Sequence, residues 1–485
     1  MVVRGAAPAE TQAMEAFRAL QAFVQAPNAI NRTRFLEAFG PLHDNQQFMR
    51  SFEALRDADR AVSAAWRSFR ESNPEGPIAS FLDSVQLRSG VPQRSESPTH
   101  LPTETRLNEL IHQLDHPAFL MRREAVRELG RVGSVRAVHG LIKRAGDEEL
   151  IRADVAWALG RIGDPSAVPT LTRLVRDESE SVRRAAAESL GMIGDRRGVP
   201  ALIKGLSDAD QRVRRMSAWA LGMVGDAQAV RSLAPMMDDE DPQVRYTVAE
   251  ALGRIRDPHA VPALLKRMND ADERVRWHVI EALGRIGDAR AVPALAEASA
   301  SADRQIRVLA LEALGAVGDR SALGPIVKAS TNPDASTRRA ATWALGRLGT
   351  SEMLPSLTSR LSDDDSGVRH LAARGVFEFL GAVPGERIEA PGMLHALSER
   401  LTDSEPQTRI LAARTLGLLG GRGALGPLVQ ALRDENADVR SAALSALGAI
   451  GDREALPALR RIAESDPDEK VREAARVAVE RVGTS

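Results

Sequence analysis

The chain is written to a period. Arg183, Arg214, Arg245, Arg276, Arg307, Arg338 and Arg369 follow one another at intervals of 31 residues, with Arg122 and Arg152 before them and Arg409, Arg440 and Arg472 after. A fixed spacing of roughly 20–50 residues marks one supersecondary unit copied and stacked. Each copy buries its apolar face against its neighbours, so a chain of 485 residues avoids the surface-to-volume limit that divides ordinary chains of this length into domains. Such an array constrains architecture more than chemistry, because a stack of repeats is first of all a surface.

The unit from Gly163 to Gly194 shows how one copy is built. Gly163, after Leu159-Gly160-Arg161-Ile162, suits the left-handed position that closes a helix. Asp164 can cap the next helix. A first helix carries Val168, Leu171, Leu174 and Val175 at amphipathic spacing, with Pro169 near its start, where a missing N–H costs little. Asp177 to Ser181 form a polar turn, and a second helix runs from Val182 to about Ile193 with Val182, Ala186, Leu190 and Ile193 as its apolar stripe.

Val182-Arg183, Leu190-Gly191, Ile193-Gly194-Asp195 and Val199-Pro200 recur as Val244-Arg245, Leu252-Gly253 and Val261-Pro262. They recur again as Val275-Arg276, Leu283-Gly284, Ile286-Gly287-Asp288 and Val292-Pro293. This pattern, over about 103–485, resembles the HEAT repeat, in particular its phycobilisome-lyase-like subtype. The resemblance implies an all-α fold, a right-handed α-α superhelix of about twelve repeats with its second helices lining the concave side. It also implies that the Asp standing six residues before most of these arginines (Asp177, Asp208, Asp239, Asp270, Asp363, Asp403, Asp434 and Asp466) belongs to a hydrogen-bonded ladder between repeats, a scaffold feature rather than a catalyst.

Aromatic usage separates a second region. Phe17, Phe23, Phe35, Phe39, Phe48, Phe52, Phe69 and Phe81, with Trp66, all precede residue 82, whereas the repeats pack on Ala, Leu, Val and Ile. An N-terminal helical bundle over 1–88 is expected, followed by an extended linker over 89–102 with Pro92, Pro98 and Pro102 and the repeat solenoid over 103–485. Between Arg369 and Arg409 the interval is 40 residues. The surplus around Val383 to Gly392 reads as a tolerated loop insertion, with a hinge or docking loop as the alternative.

Lys and Arg total 65 against 66 Asp and Glu, a balance that argues against a globally basic nucleic-acid binder. With no cysteine, disulfides, thiolate metal sites and cysteine nucleophiles are excluded. Met1 to Pro8 lack the apolar core of a secretory signal and no stretch is apolar enough to span a bilayer, so a soluble cytoplasmic protein without a membrane partner is expected. No Gly-Lys dipeptide occurs, which excludes a Walker A loop. Gly421 to Gly426 matches a dinucleotide fingerprint but lies between two expected helices with no strand before it, and is read as fortuitous. No His is followed by Glu, so the paired ligands of metal-binding HEAT hydroxylases are missing, and His112 and His116 are separated from a common helix by Pro117. No carboxylate pair stands out as acid and base. The expectation is no catalytic residue, no metal site and no cofactor.

Residues one, five and nine places after each repeat arginine share a helical face off the buried stripe. Trp157, Trp219 and Trp343 stand five places after, Tyr246 and Trp277 one place after, and these are all the tryptophans of the array and the only tyrosine of the chain. Rings and arginines dominate binding hot spots, although a Trp before Ala-Leu-Gly can instead cover the seam between helices. The charges on this face are patterned. Arg123, Arg127, Arg131, Arg161, Arg184 and Arg215 come first, with Glu188 among them. Glu250, Glu281 and Glu312 come next with Arg254 and Arg285, and then Arg339, Arg347, Arg374 and Arg414 with His370. With helices about 8–10 Å apart, twelve repeats give an arc of roughly 100 Å, which suits a protein partner. The expected function is therefore a non-catalytic scaffold or adaptor gripping a protein in its concave groove. Two alternatives remain open. One is a bilin lyase-like chromophore chaperone, implied by the resemblance, in which arginines pair with propionates and rings stack on pyrroles; any enzyme activity would be of this kind. The other is a nucleic-acid-binding HEAT-like protein, against which the acidic middle of the groove speaks.

Overall fold

The computed structural model describes residues 104–383 and 392–484. The expected N-terminal bundle and linker lie outside these residues, as does nearly all of the insertion at 383–392. The repeats belong to the compact unit from Leu110 to Ser485. Among the described residues every regular element is helical.

Twelve long helices set the frame: α1 (Phe119–Val132), α2 (Glu149–Ile162), α3 (Glu180–Ile193), α4 (Gln211–Val224), α5 (Pro242–Ile255), α6 (Glu273–Ile286), α7 (Arg304–Val317), α8 (Ala335–Leu348), α9 (Ser366–Ala382), α10 (Pro406–Leu419), α11 (Ala437–Ile450) and α12 (Glu469–Thr484). Shorter helices such as Val168–Leu174 and Val199–Gly205 alternate with them. In α3, Val182, Ala186 and Leu190 are wholly buried, each large apolar side chain contributing about 1.5–3 kcal/mol. Ile193 is only half-buried, because it falls in the last turn, where the chain leaves the stack. Gly194 closes the helix at φ 71°, its N–H bonded to the Leu190 carbonyl. Asp195 then accepts the Arg197 N–H and starts the next turn.

The recurrent Leu-Gly pair has a packing cause. A Cβ at Gly222 would lie 2.7 Å from the Ala251 Cα, and one at Gly253 would lie 2.8 Å from the Ala282 Cα. Successive long helices therefore touch backbone to backbone. Short helices of neighbouring repeats meet one another sparingly, and the long helices carry most of the contact from one repeat to the next.

The long helix opens at Glu180, two residues before the expected Val182, so the repeat arginine is its fourth residue, as in Glu180-Ser181-Val182-Arg183. There it spans two repeats. Arg183 donates from Nη1 to the Asp177 carbonyl of its own turn (3.0 Å), and from Nε and Nη2 to both Asp208 oxygens of the next turn (2.7 and 2.9 Å). Asp208 in turn accepts the Asp210 N–H at 3.0 Å. The same rung joins Arg152 to Asp177, Arg214 to Asp239, Arg245 to Asp270, Arg338 to Asp363, Arg369 to Asp403, Arg409 to Asp434 and Arg440 to Asp466. Arg122 and Asp147 form one more, at 2.9 Å. The sequence pattern passes over Asp147 because it stands five residues, not six, before Arg152.

Two interfaces lack the rung. Opposite Arg276 stands Ser301 and opposite Arg307 stands Asn332, at the positions where aspartate is expected. The turns themselves keep their form. The Asp303 N–H still donates to Ser301 Oγ and the Asp334 N–H to Asn332 Oδ1, and Arg276 still reaches the Asp270 carbonyl at 2.8 Å. Arg307 turns to Thr337 Oγ1 at 3.3 Å instead.

Candidate functional site

The side of the long helices opposite the core is open to solvent. Of the residues one, five and nine places after each repeat arginine, only Ile410 is buried, and the ninth-place residues are exposed from Arg131 to Arg481. The positions singled out from the sequence thus lie on one layer of successive helices, mostly half-buried at places one and five and fully exposed at place nine.

The rings are shared between packing and surface. Trp157, Trp219 and Trp343 are half-buried. Each lays the Cζ3 edge of its indole on a glycine of the preceding helix, 2.5 Å from where a Cβ would stand at Gly130, 2.9 Å at Gly191 and 2.7 Å at Gly315. The remaining ring surface faces outward. Trp277 differs, since its Nε1 is shielded from solvent without a hydrogen-bond acceptor. Tyr246 stacks on His278 with centroids 5.3 Å apart, and the Arg274 guanidinium sits 5.5 Å over the same phenol ring.

The charge pattern is more neutral than the sequence alone suggests. Arg123 and Arg127 both bond to Asp154, at 2.7 and 2.9 Å. Arg339 is held by Asp365 (2.6 Å) and Arg374 by Glu378 (2.7 Å). Arg215 donates to Gln243 at 2.5 Å. Glu250 accepts from Arg254 (2.8 Å), Glu281 from Arg285 (2.5 Å), and His370 lies 3.4 Å from Thr408 Oγ1. Asp154 and Asp365 lie off the one-five-nine register and reach it from the neighbouring repeat, which is why a reading of one helix at a time misses them. Arg161, Arg184, Arg256 and Arg347 have no side-chain partner among the described residues. The Glu312 carboxyl is held above its ordinary range, first by burial of part of its side chain and then by the charge of Glu281.

The layer is grooved between helices. The larger groove has a volume of about 560 Å³ and is lined by Arg256, Glu281, Arg285, Leu309, Glu312, Trp343 and Arg347 among others. A second, of about 440 Å³, shares Glu312 and Trp343 with it and continues to Val308, Arg339 and Leu371. A third, of about 370 Å³, lies between Arg414 and Ser445. A further cavity, of about 940 Å³, is on the short-helix layer between Val230 and Lys266 and contains none of the predicted residues.

Four exposed apolar side chains on the long-helix layer had drawn no notice in the sequence: Met192, Met223, Leu418 and Val477, between 37 and 49% exposed. They occupy places nine, nine, nine and five after their arginines. Tabulating every apolar residue at those places, instead of rings and charges alone, would have found them. Methionine is suited to surfaces that accommodate different shapes.

Among the described residues no cluster of His, Asp and Glu is placed to hold a metal, and no helix is long and apolar enough to cross a membrane. A family profile described as "HEAT repeats" matches residues 107–181, 171–242, 230–307, 296–376 and 394–480. No curated protein matches the chain. Among solved structures, an engineered protein aligns at 20% identity over 78% of this chain and 98% of its own, with a TM-score of 0.40. The complex of CpcE and CpcF of phycocyanin lyase from Nostoc sp. PCC7120 aligns at 22% identity over 47% of this chain and 92% of its own, with a TM-score of 0.31.

Proposed function

The chain belongs to the HEAT-repeat family, and from that premise we propose that it is a non-catalytic scaffold that holds a protein partner against the layer of its long helices. The observation that carries this reading is the continuity of the layer. Twelve successive helices leave the same three places open to solvent, save at Ile410, and at those places stand half-buried rings, exposed methionines and unpaired arginines. Apolar anchors set among polar groups are what protein recognition uses. The ion pairs that occupy Arg123, Arg127, Arg339 and Arg374 leave too little free positive charge for a continuous phosphate track.

The test is an affinity capture from the native host with the full chain and with a Met192→Asp, Met223→Asp, Leu418→Asp variant. These side chains are exposed, so the variant is expected to keep its helical circular dichroism and melting temperature while losing the captured protein. A control variant carries Arg173→Glu, Lys204→Glu and Arg231→Glu on the short-helix layer, and is expected to retain it. Equal recovery by the wild type and the long-helix variant refutes the reading.

A further inference from the structure

Three features are set along one run of helices, α5 to α8. The first is Arg256. Every comparable helix end that the structure describes from α1 to α8 is closed by glycine in the left-handed region, except that of α5, where Arg256 holds φ 57°. It is the single non-glycine residue with positive φ among the described residues. A side chain there is strained by contact with its own backbone, and such strain persists where a site has a use for it. The second departure is the pair of missing rungs at Ser301 and Asn332: the α6–α7 interface has no aspartate opposite Arg276, and across α7–α8 Arg307 reaches Thr337 at 3.3 Å and Asp334 at 3.9 Å instead. The third is the groove of about 560 Å³, which runs from the end of α5 across α6 and α7 to α8 and so spans those same interfaces.

The chemistry of this groove is directional. Arg256 lines it from the α5 end and Arg347 from α8, and neither guanidinium meets an acceptor among the described residues. Leu309 and the Trp343 indole supply apolar surface in the same lining. Glu281 is already engaged by Arg285 at 2.5 Å, so the two free cations face a single unpaired carboxylate in this lining, that of Glu312, and positive charge prevails. We propose that this groove binds an acidic peptide segment of a protein partner, with Arg256 and Arg347 receiving its carboxylates and Trp343 receiving a neighbouring apolar side chain. Guanidinium forks match carboxylates in two-point contacts. This inference rests on the scaffold reading and names the chemistry of the partner at that surface.

The test starts from a phage-displayed library of random short peptides selected on the full chain. The best binder is then measured by fluorescence polarisation against the wild type, Arg256→Gly and Arg347→Glu, with a fluorescent oligothymidylate as a parallel probe. The selected peptides are expected to place Asp or Glu beside an apolar residue. Each variant is expected to weaken binding by about tenfold or more, the loss of a charged hydrogen bond. Arg256→Gly relieves the strain, so its melting temperature is expected to equal or exceed that of the wild type, which separates lost binding from lost folding. Peptides selected without acidic residues, or bound equally by Arg256→Gly, overturn the inference and leave the scaffold reading standing. Oligothymidylate binding that Arg256→Gly weakens assigns the groove to a phosphate chain and also overturns it. A library that yields no binder counts against both readings.

Discussion

Ser301→Asp is expected to stabilise the middle of the stack by about 1 kcal/mol, by restoring a missing rung. The magnitude comes from the intact neighbour. In the Arg245–Asp270 rung the bonds are 2.9 and 2.7 Å long, and the side chains are only 12% and 1% exposed. Removing one partner of a well-buried pair costs about 3–5 kcal/mol, and an exposed pair is worth about 0–1 kcal/mol. Asp270→Ala, near the buried extreme, is therefore expected to cost about 3 kcal/mol. Adding a carboxylate at 301 gives less than that, because its desolvation offsets much of the gain. The arginine, however, is already ordered: Arg276 is held by the carbonyls of Asp270 (2.8 Å) and Ala271 (3.2 Å), so little further side-chain entropy is lost. In a repeat array this gain enters as a term between nearest neighbours. Amide hydrogen exchange across α6 and α7 should show it as roughly fivefold slower opening. In an Arg276→Met background the gain should vanish, the signature of direct coupling. Slower exchange that persists without Arg276, or no change with Arg276 present, refutes the claim that the rung couples the repeats.

Gly222→Ala should destabilise by about 2–3 kcal/mol, since the added Cβ meets the Ala251 backbone. Gly225→Ala, where the added carbon meets nothing but φ is 70°, should cost about 1–2 kcal/mol; urea titration distinguishes the two. Burial pushes the Asp270, Asp363 and Asp403 carboxyls up, but hydrogen bonds from Arg245, Arg338 and Arg369, backbone N–H groups and the nearby guanidinium charges outweigh it and hold them below the ordinary range. Because the folded values are depressed, the rungs contribute fully above the unfolded aspartate value of about 3.9 and are lost as pH falls through the folded values. Thermal melts should show stability declining below about pH 4, with a shallower decline in Asp270→Asn, which has one titrating rung fewer. Trp343→Ala should cost about 2 kcal/mol in the same melts, less than a fully buried tryptophan, because part of the ring already faces solvent.

Much of the fold was legible in the chain. Gly163 and Gly194 ended their helices in the left-handed region, Asp164 and Asp195 capped the following turns, and the apolar stripe Val182, Ala186, Leu190 was buried. These features obey local rules of propensity, capping and 3.6-residue periodicity, so a single helix contains the information. The one-five-nine register was legible for the same reason. The state of the charges on it was not: Asp154 engages two arginines of α1 from α2, and Asp365 reaches Arg339 from the start of α9. No spacing within one repeat encodes a pairing across two.

Periodicity therefore sufficed for the helical repeat and for the side of each long helix turned away from the core, because both depend on neighbours three or four residues apart. Tertiary packing alone decided the rest. It showed that Leu-Gly marks a contact of backbone on backbone, that Trp343 seals a seam as well as facing outward, and that an arginine held at positive φ, two absent rungs and a groove all belong to the run of helices α5 to α8. Those properties arise between repeats, where distance through space is short and distance along the chain is about one period.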